Sequence, residues 1–296
     1  MKLDSVGVYC WQLRFIEPHA ANDIAQEIED LGYTAIWPAS AHKPGVVAQS
    51  RELLNATESI KVATGILTIW EQEPESVAAE VGQIEAEQPG RFLLGLGVSH
   101  SENLGPAEQQ KMQDPVQALN DYLDTLERTS ATLLKDNVLL GAQGPKMLEL
   151  ARTRTAGACP YNVTVAHTKS ARELLGPDAL LATMVPAIFR TDTDEARTIA
   201  RAALAPYLDY RNYLNNWRRL GFGEQDFADG GSDALIDAVY AYGTPDEIAA
   251  RINEHLTAGA DHAYVQVLTE AAWPNVDLSE TRGLWRDLSL ALALSA

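Results

Sequence analysis

Two short loops concentrate the groups in this chain that could do chemistry. The first closes the run Arg91-Phe-Leu-Leu-Gly-Leu-Gly-Val-Ser-His100, where an apolar segment meets two glycines and then delivers a hydroxyl and an imidazole. The apolar core of that run lacks polar/apolar alternation, the pattern of a parallel strand buried on both faces. Its glycines would let something approach the backbone closely. The second loop is Leu140-Gly-Ala-Gln-Gly-Pro-Lys146. Its glycines free backbone N–H groups, Pro145 can open a helix whose N-terminus attracts anions, and Lys146 adds a charge. An ordinary turn into a proline-started helix has the same spacing, and the residues alone do not choose between the two.

The elements that must position these loops alternate regularly. Strands are predicted at Val6–Cys10, Thr34–Trp37, Lys61–Ile69, Phe92–Gly97, Asn137–Leu140, Gly157–Val165, Leu181–Ile188 and Ala263–Leu268, eight in all. Helices with periodic apolar faces lie between them, for example Ile24, Ala25, Ile28 and Leu31 within Ala20–Leu31, closed by Gly32. Pro74 and Pro245 stand where a first helical turn tolerates a missing N–H, the latter after Thr244 as N-cap. Eight strands alternating with helices over 296 residues predict an α/β fold, a (β/α)8 TIM barrel spanning residues 1–296 as one domain. The long interval after the seventh strand, about 190–243, reads as a helical insertion over the barrel mouth or a partner subunit. A doubly wound open sheet is the alternative, but no GxGxxG opens a helix after the first strand.

Barrel enzymes build their sites at the C-terminal ends of the strands. That rule places His42, His100 and His167 on the catalytic side and leaves His19, His255 and His262 to structural or surface roles. Metal-assisted hydrolysis is an alternative without an HxH or HExxH to support it, and no metal is expected. No GxSxG elbow exists, and Cys10 and Cys159 have no basic neighbour in sequence. Trp11, Trp37 and Trp70 fall near the exits of the first three strands, where they either wall a slot for a flat ligand or cap the core. With 41 acidic and 23 basic side chains the net charge is −18, which disfavours nucleic acid and anionic membrane surfaces. Two cysteines without CxxC, no apolar N-terminal stretch and no 18-residue apolar segment lead to the expectation of a cytoplasmic protein without signal peptide or membrane span.

Ala63-Thr-Gly-Ile66, Pro89-Gly-Arg-Phe-Leu-Leu-Gly-Leu-Gly-Val-Ser-His100, Gly144-Pro-Lys-Met-Leu-Glu-Leu-Ala151, Pro160-Tyr161-Asn-Val-Thr-Val-Ala-His167 and Ala258-Gly-Ala-Asp-His-Ala-Tyr-Val-Gln266 follow one another in order. That ordered set resembles the bacterial luciferase-like superfamily, and within it the actinobacterial branch that uses coenzyme F420, a deazaflavin. The resemblance implies a cofactor ring in the barrel mouth, backed by a bulge with a non-prolyl cis peptide, here Gly65-Ile66. It implies that Gly141, Ala142, Gln143 and Gly144 approach the cofactor with backbone donors. Ser99, His100 and Asn103 would face ring and substrate, with Tyr161 in the same mouth. Lys146, Lys43 and Arg190 would serve the cofactor's phosphate and acidic tail. Deazaflavin-dependent relatives carry a glutamate near His100 and a histidine near His42; this chain has histidine at both. Either imidazole is suited to move a proton near neutral pH beside a hydride transfer. The expected activity is therefore hydride transfer between F420 and a small organic substrate. The alternatives are an FMN-dependent monooxygenase using O2 and a non-catalytic flavin-binding barrel. The resemblance also implies a homodimer.

Overall fold

The structure, a computed structural model, describes residues 3, 6–41, 43–100, 102, 104–106, 109, 112–129, 133–270 and 275–294. Every strand pairing in it is parallel. β1 (Val6–Tyr9), β2 (Ala35–Trp37) and β3 (Lys61–Ala63) are joined beyond a bulge by β4 (Leu67–Thr68), which pairs with β5 (Phe92–Gly97). β6 (Val138–Leu140), β7 (Gly157–Ala158) and β8 (Leu180–Ile188) continue the sheet. β10 (His262–Val267) then closes it by pairing with both β8 and β1. The result is a closed eight-stranded α/β barrel, with β9 (Ala241–Tyr242) added beside the end of β8.

The unbroken apolar run of β5 follows from its two buried faces. Leu93 points into the barrel with Ala35, Trp37, Leu139, Met184 and Tyr264, while Phe92, Leu94 and Leu96 pack outward against the helices. All six residues of the strand are buried. The outer helices bury the stripes their periodicity predicts. Pro18–Asp30 buries Ile24, Ala25 and Ile28, and Pro245–Thr257 begins with a capping box in which Thr244 and Glu247 satisfy each other's backbone N–H.

Two strands are shorter than the sequence predicts. The third breaks after Ala63, where the bulge begins. The sixth pairs only over Gly157–Ala158, because Val165 already opens the helix Val165–Leu175 behind its Thr164 cap. Between β8 and β9 the insertion carries the helices Thr193–Leu204, Arg211–Arg219, Glu224–Phe227 and Asp233–Val239. It has a core of its own, around Leu204, Trp217, Leu235 and Val239.

Candidate functional site

The floor of the barrel mouth is the bulge between β3 and β4. Thr64 fixes its start: the hydroxyl donates to the carbonyl of Gly95 and accepts from its N–H, both at 2.9 Å. The next peptide, Gly65-Ile66, is cis, and the Gly65 N–H donates to the Pro38 carbonyl at 2.9 Å. A Cβ on Gly95 would stand 2.0 Å from the Thr64 carbonyl oxygen, and one on Gly97 2.7 Å from Cδ1 of Ile66. The glycines of the 92–97 run therefore make room for the neighbouring bulge and not for a ligand. On its other side the bulge is half-open, with Gly65 against the ring of Tyr9.

Three non-glycine residues at the strand exits adopt left-handed backbone: Ala41 (φ 49°), Ser99 (φ 60°) and Asn162 (φ 50°). Such conformations cost free energy and collect at sites that over-determine the chain. Just beyond Ser99, the His100 ring stacks on Tyr210 of the insertion, with centroids 4.1 Å apart and planes 10° from parallel. His100 Nδ1 lies 3.2 Å from Oδ1 of Asn212. The Asn212 amide donates to Oε1 of Gln143 at 3.4 Å, and the Gln143 amide donates to the Tyr161 carbonyl at 2.5 Å. The Tyr161 hydroxyl donates to Gln266 at 2.6 Å and receives a longer contact of 3.4 Å from Tyr207. Burial, reinforced by neighbouring phenols, holds the hydroxyls of Tyr9, Tyr161 and Tyr213 well above their ordinary value, so they stay neutral.

The loop after β6 presents mixed material. The Gly141 N–H is taken by the Leu96 carbonyl at 2.8 Å, and Ala142 is fully buried in the outer core, so neither offers the donor the sequence reading assigned to it. Gly144 instead caps the helix Pro145–Arg154 with no side chain over its first turn. A Cβ on Gly144 would lie 3.5 Å from the guanidinium of Arg219, and Lys146 stands exposed alongside. An uncapped helix N-terminus flanked by an exposed guanidinium suits a phosphate-sized anion. Lys43 and Arg190 are engaged elsewhere, the first with the Arg14 carbonyl and the Phe15 ring, the second with Glu280. Arg219 was not legible as a site residue, because only the docking of the insertion brings it to this loop.

The other sequence candidates separate cleanly. His42 and Asn103 lie outside the described residues. His167 lies behind the mouth, buried in the first turn of the helix Val165–Leu175, where its Nε2 donates to the Gln143 carbonyl at 2.9 Å. Burial is the main cause holding its titration down at about 4, and the Arg219 charge adds to it. Trp37 is fully buried in the barrel, stacked on Tyr264 and donating to His262, so it caps core rather than lining a slot. Trp70 is likewise tied down, to the Val98 carbonyl. Burial pushes the thiols of Cys10 and Cys159 up to about 12, which removes them as nucleophiles.

Residues 7–262 match the sequence profile described as luciferase-like monooxygenase. The chain belongs to the luciferase-like monooxygenase family. It is similar to the 5,10-methylenetetrahydromethanopterin reductase of Methanolobus tindarius, 24% identical over 280 residues that cover 79% of this chain and 86% of that relative. Among solved structures it shares its fold with the coenzyme F420-dependent tetrahydromethanopterin reductase of Methanopyrus kandleri (TM-score 0.67, 15% identity, 99% of each chain). It also shares it with the FMN complex of a type II Baeyer–Villiger monooxygenase from Pseudomonas putida (TM-score 0.64, 15% identity, 99% of this chain and 98% of that one). This luciferase-like barrel thus belongs to a family of enzymes whose relatives use flavin or deazaflavin. Its uncapped helix and Arg219 suit the phosphate such cofactors share.

Proposed function

We propose that the protein is a coenzyme F420-dependent oxidoreductase that moves a hydride between the deazaflavin and a small organic substrate. The observation that supports this reading is the link from His100 through Asn212 to Gln143, in the loop that carries Gly144 beside Arg219 and whose Gly141 stands next to Ile66 of the bulge. When bound, the deazaflavin supplies the hydride chemistry. Gly144, Lys146 and Arg219 would hold its phosphate, the bulge with Tyr161 and Ser99 would receive the ring, and His100 would handle the proton that accompanies the hydride. Gln143 contributes through its side chain, which meets Asn212, and His42 and Asn103 stay in the proposal as residues the resemblance implies. A small-molecule substrate, a homodimer and a cytoplasmic setting belong to this reading. The same cradle suits FMN, as in the Pseudomonas putida neighbour, and that second reading replaces hydride exchange with O2 chemistry.

Titration of the protein with F420 and, separately, with FMN at low salt distinguishes the two, followed by quenching of tryptophan emission. Tight F420 and weak FMN binding is the expected outcome. The reverse preference moves the enzyme to oxygenation, and binding of neither leaves a barrel without this chemistry.

A further inference from the structure

The hydrogen bonds that cross from the insertion to the barrel have a direction, and that direction ends on His100. The Tyr161 carbonyl oxygen can only accept, so the group of Gln143 that faces it at 2.5 Å is the NH2. Gln143 then turns its oxygen toward Asn212, which meets it with its own NH2 at 3.4 Å. The remaining end of the Asn212 amide is an oxygen, and it lies 3.2 Å from Nδ1 of His100. An oxygen facing a ring nitrogen at that distance requires the nitrogen to carry the proton. From these contacts we infer that Asn212 is a positioning residue: it fixes His100 as the Nδ1–H tautomer, with the lone pair on Nε2.

Two further contacts hold the relay in place. The carbonyl of Gln143 accepts from His167 Nε2 at 2.9 Å, so the backbone beneath the relay is anchored to a buried side chain. The Tyr210 ring lies flat on the imidazole at 4.1 Å, two residues before Asn212, so one short stretch of the insertion sets both the plane of His100 and the end that is protonated. A neutral imidazole with this tautomer accepts a proton at Nε2 before it can give one. Which ring nitrogen is protonated is set by the partner of the other, and here that partner comes from outside the barrel strands. The inference builds on the reading of His100 as proton partner, but the tautomer is a property of the protein without cofactor.

The test is a long-range proton–nitrogen correlation spectrum of the histidine side chains in 15N-labelled protein free of cofactor, recorded at about pH 8.5, where imidazoles are neutral. His100→Gln identifies the resonance. The expected pattern is the Nδ1–H tautomer for His100, moving toward the Nε2–H form or a mixture in Asn212→Ala. A wild-type His100 already in the Nε2–H form, or an Asn212→Ala spectrum identical to wild type, overturns the assignment. The wild-type spectrum decides by itself if the variant fails to fold. Failure of F420 binding would refute the proposed function and leave this spectrum unchanged.

Discussion

The barrel and the insertion laid across it contribute different materials to the same mouth. From the barrel come mostly backbone features: the cis bulge at Gly65–Ile66, the left-handed turns at Ala41, Ser99 and Asn162, and the uncapped helix after Gly144. From the insertion come side chains, with Tyr207, Tyr210, Asn212, Tyr213 and Arg219 reaching down from a small core built around Trp217. Backbone features are fixed by sheet pairing and cannot be changed without disturbing the barrel. Side chains from a separately packed cap can be exchanged with little effect on it. The division separates what makes the site possible from what makes it selective.

The sharpest test lies at the contact between the two regions. His100→Ala removes an imidazole that stacks on the insertion; turnover with F420 should fall about 10²-fold or more while cofactor affinity stays within about threefold. Equal loss in both would make His100 a binding group. Next in size is a pair of glycines. Gly95→Ala drives a methyl into the Thr64 carbonyl and should cost about 2 kcal/mol in urea unfolding. Gly144→Ala meets only ordinary contact and should leave that midpoint unchanged; its companion Arg219→Met should weaken F420 binding about tenfold. If Gly144→Ala unfolds the protein as readily as Gly95→Ala, the line between scaffold and cradle is wrongly drawn.

The smallest effect is a dependence on pH. His167 titrates at about 4 and His255 at about 3, in both cases chiefly because burial disfavours the charged form. The unfolded chain binds these protons near 6.5, so the stability from keeping both rings neutral is fully present above that value. It is lost as pH falls toward 4. Between pH 7 and 5.5 the loss should be about 1 kcal/mol for each ring, read as a falling urea midpoint. His167→Gln should remove about half of that slope. An unchanged slope would place the titration elsewhere.

The strands and outer helices were legible in the sequence because two-sided burial writes unbroken apolar runs and one-sided burial writes a period. Phe92–Gly97 is reproduced residue for residue. Where burial ceased to correlate with pairing, the reading failed: 161–164 is buried in large part, yet the backbone bonds to the neighbouring strands stop at Cys159 and Pro160. The glycines at 95 and 97 announced a close approach, but sequence could not say that the approaching group was the neighbouring strand. The resemblance located the cis peptide. Nothing local marks Asn212 or Arg219, which acquire their places only when residues some seventy positions apart meet, as Asn212 and Gln143 do.

The tyrosine roof has a kinetic side. Tyr207 and Tyr213 sit edge to face at 4.9 Å, and Tyr207 reaches Tyr161 on the barrel. A ligand that enters between Tyr207 and Tyr161 must part groups that already meet one another. The affinity observed in solution is then the intrinsic affinity multiplied by the fraction of time the rings stand apart. Evolution of such a mouth could tune selectivity by loosening or tightening the roof, without altering a single group that touches the ligand.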